Sequence, residues 1–161
     1  MREGAARGYE RPACEIPEPI RNLDYEAYKQ VAFRPDHAVW GDTDLPFRLQ
    51  AFHTGWLFNE PVRLFVVDGG AATELTFSPA DFEYRPPLDP ADFENLAFPG
   101  VAGFRLHFPL NRPDVFDEVI AFQGASYFRA VGYGNVYGIS ARGLAVNTAT
   151  GREEEFPRFS E

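Results

Sequence analysis

The chain has 161 residues, of which 45% are hydrophobic and 16% aromatic, and its 24 acids against 15 lysines and arginines give a formal charge of −9. That length supports one domain with a sizeable core, and the acidic balance excludes a nucleic-acid partner, whose phosphates need a basic stripe. Cys14 is the only cysteine, which excludes an intrachain disulfide and any thiol cluster for zinc or iron.

Pro12, Pro17 and Pro19 lie among charges and predict an extended arm over residues 1–21, with no apolar core of a secretory signal in it. The domain then occupies residues 22–161. Asn22 or Asp24 caps one short helix through Gln30, with Tyr25, Ala27 and Tyr28 as its weak apolar face. From Pro46 the pattern changes to period two: Phe47, Leu49 and Ala51 alternate with Arg48 and Gln50, and Val62, Leu64 and Val66 follow the breaker Asn59-Glu60-Pro61.

A Gly69-Gly70 turn leads into Thr73 to Phe77 and predicts a hairpin, with Phe82 to Tyr84 as a short edge piece. Pro86, Pro87 and Pro90 mark a loop, and Asp92 to Leu96 is expected to make one helical turn. Alternation resumes at Gly103 to Phe108, where Phe104, Leu106 and Phe108 lie opposite Arg105 and His107. Asp117 to Gln123, Ser126 to Val131 and Val136 to Val146 complete the strand series. Glycine-bearing turns between strands, with no βαβ repetition, predict a mainly β fold: an antiparallel β-sandwich with one short N-terminal helix. A sheet that stops with the chain at Glu161 is expected to leave unpaired edges and a half-covered apolar face.

Most of the familiar catalytic patterns fail on spacing. Ser140 in Gly138-Ile139-Ser140-Ala141-Arg142-Gly143 misses the nucleophile elbow by one residue, and Gly132-Tyr133-Gly134 with Gly138 misses the dinucleotide fingerprint. His37, His53 and His107 form no metal-ligand spacing and read as structural, so no metal or cofactor is expected. Asp117 and Glu118 are adjacent on a strand and face opposite sides, so they cannot work as a pair across one sugar ring.

The stretch from Phe122 to Val146 is the more informative one, with glycines and aromatics interleaved with Arg129 and Arg142. Tyr127 and Arg129 share one strand face, as do Ser140 and Arg142, and paired strands would pool them. Aromatic rings beside guanidinium and hydroxyl donors suit a neutral glycan. The residues alone leave a second reading equally open, in which Tyr127 fills core and the arginines make internal salt bridges.

Gly124-Ala125-Ser126-Tyr127-Phe128-Arg129, followed by Tyr137-Gly138-Ile139-Ser140-Ala141-Arg142-Gly143-Leu144-Ala145, closely resembles the bacterial periplasmic glucan biosynthesis proteins, the OpgG (MdoG) and OpgD family. Phe52-His53-Thr54-Gly55, Ala102-Gly103-Phe104-Arg105 and Glu154-Glu155-Phe156-Pro157-Arg158-Phe159 agree in order and spacing, so the resemblance runs from about Gly8 to the end. It implies a periplasmic protein acting on osmoregulated periplasmic glucans with a β-1,2-linked glucose backbone, on a sandwich of the galactose-mutarotase-like kind.

By that resemblance, residues 22–161 are the first portion of the large sandwich domain, and the inner-membrane glucan synthase machinery is an implied partner. Some family members are β-1,2-glucanases, but their catalytic acids lie in a later portion, so no catalytic residue transfers to this chain. Tyr127, Arg129, Tyr137, Ser140 and Arg142 are the expected substrate-binding residues of a glucan groove. A non-catalytic glucan-binding scaffold and an inactive truncated fragment are the alternatives.

Overall fold

The computed structural model describes residues 14–159 apart from 125 and 135–137. Residues 1–13 of the expected arm therefore lie outside the described residues. The rest of the arm is not extended throughout, because Glu18–Arg21 closes a helical turn, α1. Pro19 falls in its first turn, where a missing N–H costs nothing, and the Asn22 N–H closes it on the Glu18 and Ile20 carbonyls. Ile20, wholly buried, fastens this turn to the core.

Asp24 caps α2, Tyr25–Tyr28, by accepting the Ala27 N–H at 2.8 Å. The helix stops before Gln30 because the Gln30 carbonyl accepts the Arg85 N–H at 3.0 Å and begins a sheet ladder. That ladder joins β1 (Val31–Phe33) to β5 (Phe82–Tyr84) as a separate antiparallel ribbon.

The main sheet is antiparallel and five-stranded. It contains β2 (Arg48–His53), β6 (Val101–Phe108), β7 (Asp117–Gln123), β8 (Tyr127–Ala130) and β9 (Ile139–Arg142), in that spatial order. The hairpin of β3 (Leu64–Asp68) and β4 (Ala71–Leu75) turns through Gly69 and Gly70, both at positive φ. Asp68 pairs with Ala71, so this two-residue turn starts β4 earlier than Thr73 and ends it before Phe77. The expected helical turn at Asp92 is a 3-10 turn over Pro90–Asp92, capped by Asp89, that delivers Phe93 into the core. Val136 lies outside the described residues, and the last strand ends at Arg142.

The fold is thus mainly β, antiparallel and sandwich-like, with two four-residue helices among the described residues where one was expected. Alternation gives the sheet one apolar face, which carries Leu49 and Ala51, Phe104 and Leu106, Ile120 and Phe122, and Phe128. The β1-β5 ribbon covers this face only beside β2, where Phe33, Phe82, Tyr84 and Phe93 pack against Ala51 and Val101. Tyr84 and Phe93 stack there at 4.1 Å between ring centroids.

Burial fades from β2 towards β9, whose four residues are all exposed, Ile139 at 81%. Between them Phe104, Phe122 and Phe128 form a ladder of rings 5.3 and 5.4 Å apart. A cavity of about 220 Å³ opens beside that ladder, with Val62, Leu64 and Phe159 on its other walls.

Candidate ligand-binding face

The opposite face of the same sheet is polar. The register pairs Tyr127 with Arg142 and Arg129 with Ser140, so β8 and β9 bring these four expected site residues onto one face. The Tyr127 hydroxyl donates to Ser140 Oγ at 2.7 Å, and the tyrosine ring is 40% exposed, so it does not fill core. The Arg142 guanidinium lies 4.1 Å from the centroid of the Phe156 ring, a cation–π contact that fixes its plane. Tyr137, the fifth expected residue, lies outside the described residues.

Arg129 reaches inward across the sheet, with Nη2 2.6 Å from Glu118 Oε1. The other carboxylate oxygen of Glu118 is 3.5 Å from Arg105 Nη1, so one acid joins two arginines on neighbouring strands. Arg105 is held in turn by Nε donating to Gln50 Oε1 at 3.1 Å and by the Phe52 ring beneath its guanidinium. The polar face therefore continues from β9 to β2 as Ser140, Arg129, Glu118, Arg105 and Gln50.

At the end nearest the helices, Gln123 Nε2 donates to the Tyr28 hydroxyl at 2.9 Å, and that hydroxyl donates to the His53 carbonyl at 2.7 Å. Burial pushes the Tyr28 phenol well above its ordinary value, partly offset by the bond from Gln123. His107 is on the same face and half-buried, and its Nδ1 makes no hydrogen bond among the described residues. Burial first and the Arg105 charge second hold its imidazole below the ordinary value.

Sequence reasoning did not place Glu118 on this face. Strict alternation from Ile120 and Phe122 would put it on the apolar side. The ladder instead slips between Leu106 and His107, so that Leu106 faces Ile120 while His107 faces Glu118, and Val119 is the extra residue. Gln50 and Arg105 were visible as the polar members of their strands, but only the β2-β6 register sets them side by side.

Chemically the face offers guanidinium and hydroxyl donors, exposed ring surface and the Glu118 carboxylate, already engaged by two cations. Ser140 lies on an exposed strand with its hydroxyl accepting from Tyr127, an arrangement without the strand-to-helix elbow of a serine nucleophile. Among the described residues, no group of three or more histidines, cysteines and acids comes together to hold a metal ion. No described helix is long and apolar enough to cross a membrane.

Fold and face together define a mainly β protein that presents a broad antiparallel sheet surface of arginines, hydroxyls and aromatic rings. The chain belongs to the family described as periplasmic glucan biosynthesis protein, MdoG, whose model matches residues 1–161. It is 63% identical to a glucans biosynthesis protein G of Cereibacter sphaeroides over 141 residues, which are 88% of this chain and 26% of that protein. Relatives with the same description from Ralstonia nicotianae and Vibrio cholerae are 48% and 43% identical, each over 98% of this chain and 31% and 29% of their own lengths. The chain thus spans between a quarter and a third of the length of these curated relatives.

Proposed function

We propose that this chain supplies one wall of a glucan-binding groove in a periplasmic protein of osmoregulated periplasmic glucan biosynthesis, and that the ligand is a β-1,2-linked glucan. The observation that carries this reading is the clustering of Tyr127, Arg129, Ser140 and Arg142 on one exposed sheet face. An exposed tyrosine ring stacks on a pyranose, while guanidinium and hydroxyl groups donate to sugar oxygens. Membership of the MdoG family supports both the glucan and the periplasmic setting.

Binding is the role of this stretch, and cutting is not. Hydrolysis of a glycosidic bond needs two carboxyl groups facing each other across the sugar, one as acid and one as base or nucleophile. Glu118, the carboxylate of this face, is held between Arg105 and Arg129. Processing of the glucan, where it occurs, then draws its acids from elsewhere in the longer proteins of the family. Contact with glucan synthase machinery at the inner membrane belongs to the same proposed setting.

Titrating linear β-1,2-glucan into the chain by calorimetry tests the reading. Arg129→Ala and Arg142→Ala are each expected to weaken affinity by about tenfold, the order of one charge-assisted hydrogen bond, with the far-UV spectrum unchanged. Unaltered affinity in both variants would remove the groove from this face. Product sizing after incubation is expected to show the glucan retained at full length; shortening by this chain would make it an enzyme.

A further inference from the structure

We propose that Glu118 sets the ligand class of the polar face, because its carboxylate occupies the point at which two arginines would otherwise hold an oxyanion. The proposal deepens the glucan reading above and rests on it for the nature of the ligand. Arg105 and Arg129 come from strands on either side of β7 and converge on the two oxygens of one carboxylate, at 3.5 and 2.6 Å. Two guanidinium forks on one point form the usual geometry for a sulfate, phosphate or carboxylate group. Here the chain fills that point itself.

The arrangement depends on a local irregularity. The bulge at Val119 turns Glu118 away from the apolar side of β7 and places it between the arginines. Gln50 and the Phe52 ring fix Arg105 independently of Glu118, so the guanidinium on that side keeps its place when the carboxylate is gone. The side chains of Glu118, Arg105 and Arg129 are 25%, 29% and 55% exposed, so an ion from solvent can reach the group.

The consequence is selectivity for uncharged ligands. A neutral glucan meets donors left over from the Glu118 contacts and pays no charge repulsion, whereas an anionic substituent arriving here meets a fixed carboxylate. Glu118 is in this sense a specificity residue of the face and not a group that acts on the sugar.

Calorimetric titration of the full chain with inorganic sulfate tests the proposal. Wild type is expected to bind sulfate only weakly, Glu118→Gln at least about tenfold more tightly than wild type, and Glu118→Gln with Arg129→Ala to lose that gain. An unchanged sulfate affinity in Glu118→Gln, or a gain that survives the loss of Arg129, overturns the proposal. Should Glu118→Gln lose its far-UV spectrum, Glu118→Met serves the same comparison; if both unfold even in saturating sulfate, the carboxylate is a structural requirement and the proposal falls. Neutral β-1,2-glucan titrated into wild type keeps the two readings apart. A sulfate gain without glucan binding overturns the glucan reading and leaves the filter, and glucan binding without a sulfate gain overturns the filter alone.

Discussion

Gly103→Ala is expected to destabilise the chain by roughly 3 kcal/mol or more, the sum of backbone strain and an overlap that no side-chain motion relieves. Gly103 has φ +152°, and a Cβ there would stand 2.0 Å from the Phe122 carbonyl oxygen and 2.8 Å from the Gln123 Cα. Both are backbone atoms of the paired strand, so β6 and β7 would have to separate where Gly103 faces Gln123. That ladder carries the aromatic rungs on one face and Arg105 with Glu118 on the other, so both faces are disturbed together. Gly69→Ala is the control: φ is +55° but nothing lies within 4 Å of the new Cβ, and its cost is expected to stay near 1 kcal/mol. Urea midpoints of the two variants measure the difference, and equal midpoints would show that β7 yields to the extra carbon.

Much of the strand layout was legible because these strands are half-buried. Phe104, Leu106 and Phe108 against Arg105 and His107 write a two-faced strand directly, and β6 lies where that alternation places it. Asp117–Gln123 matched at both ends, since Gly124, at φ +63°, turns the chain immediately after it. The helical pieces were harder to read. α1 and α2 are single turns of four residues; the Asp24 cap announced α2, though not its early end, whereas α1, held by Ile20 in the core, shows no helical period in sequence. The pairing of β1 with β5 is equally hidden, because three-residue strands some fifty positions apart carry no local signal of each other.

The candidate face was legible in part, for a physical reason that separates its two halves. Tyr127, Arg129, Ser140 and Arg142 follow from strand parity, and a simple register between neighbouring strands is enough to unite them. The inner half depends on the slip beside Val119 and on the order β2-β6-β7, neither of which parity can supply. The structure also changes what Arg129 means: it is neither a free donor nor buried in core, but an exposed side chain tied to Glu118 on its inner side. Among the described residues, the ion-pair reading of the two arginines thus holds for Arg129 alone, while Arg142 packs on the Phe156 ring; contact of either with a ligand belongs to the proposal above.

His53 is expected to make the fold acid-sensitive well above the carboxylate range. Its ring is 3% exposed, with Nδ1–H donating to the Thr54 carbonyl and Nε2 accepting from the Tyr84 hydroxyl at 3.0 Å, which fixes the neutral tautomer. Phe82, Tyr84 and Phe98 surround the ring edge to face, leaving an added proton without solvent. Burial accordingly pulls the imidazole down from 6.5 to about 4, against a smaller opposing effect of the Thr54 carbonyl. The folded state then resists a proton that the unfolded chain accepts, so stability is full above pH 6.5 and is lost as pH falls from there towards 4. The loss amounts to about 3 kcal/mol. His107, held down in the same direction, adds a smaller slope of the same sign, whereas Asp36, Glu74 and Asp114, all lowered, lose their stabilising charge at still lower pH. His53→Gln is expected to lower stability at neutral pH, since the amide fits the aromatic cage less well, yet to flatten most of the slope between pH 6.5 and 4. Urea midpoints across that range check it, and a variant with the wild-type slope would place the proton uptake at another group.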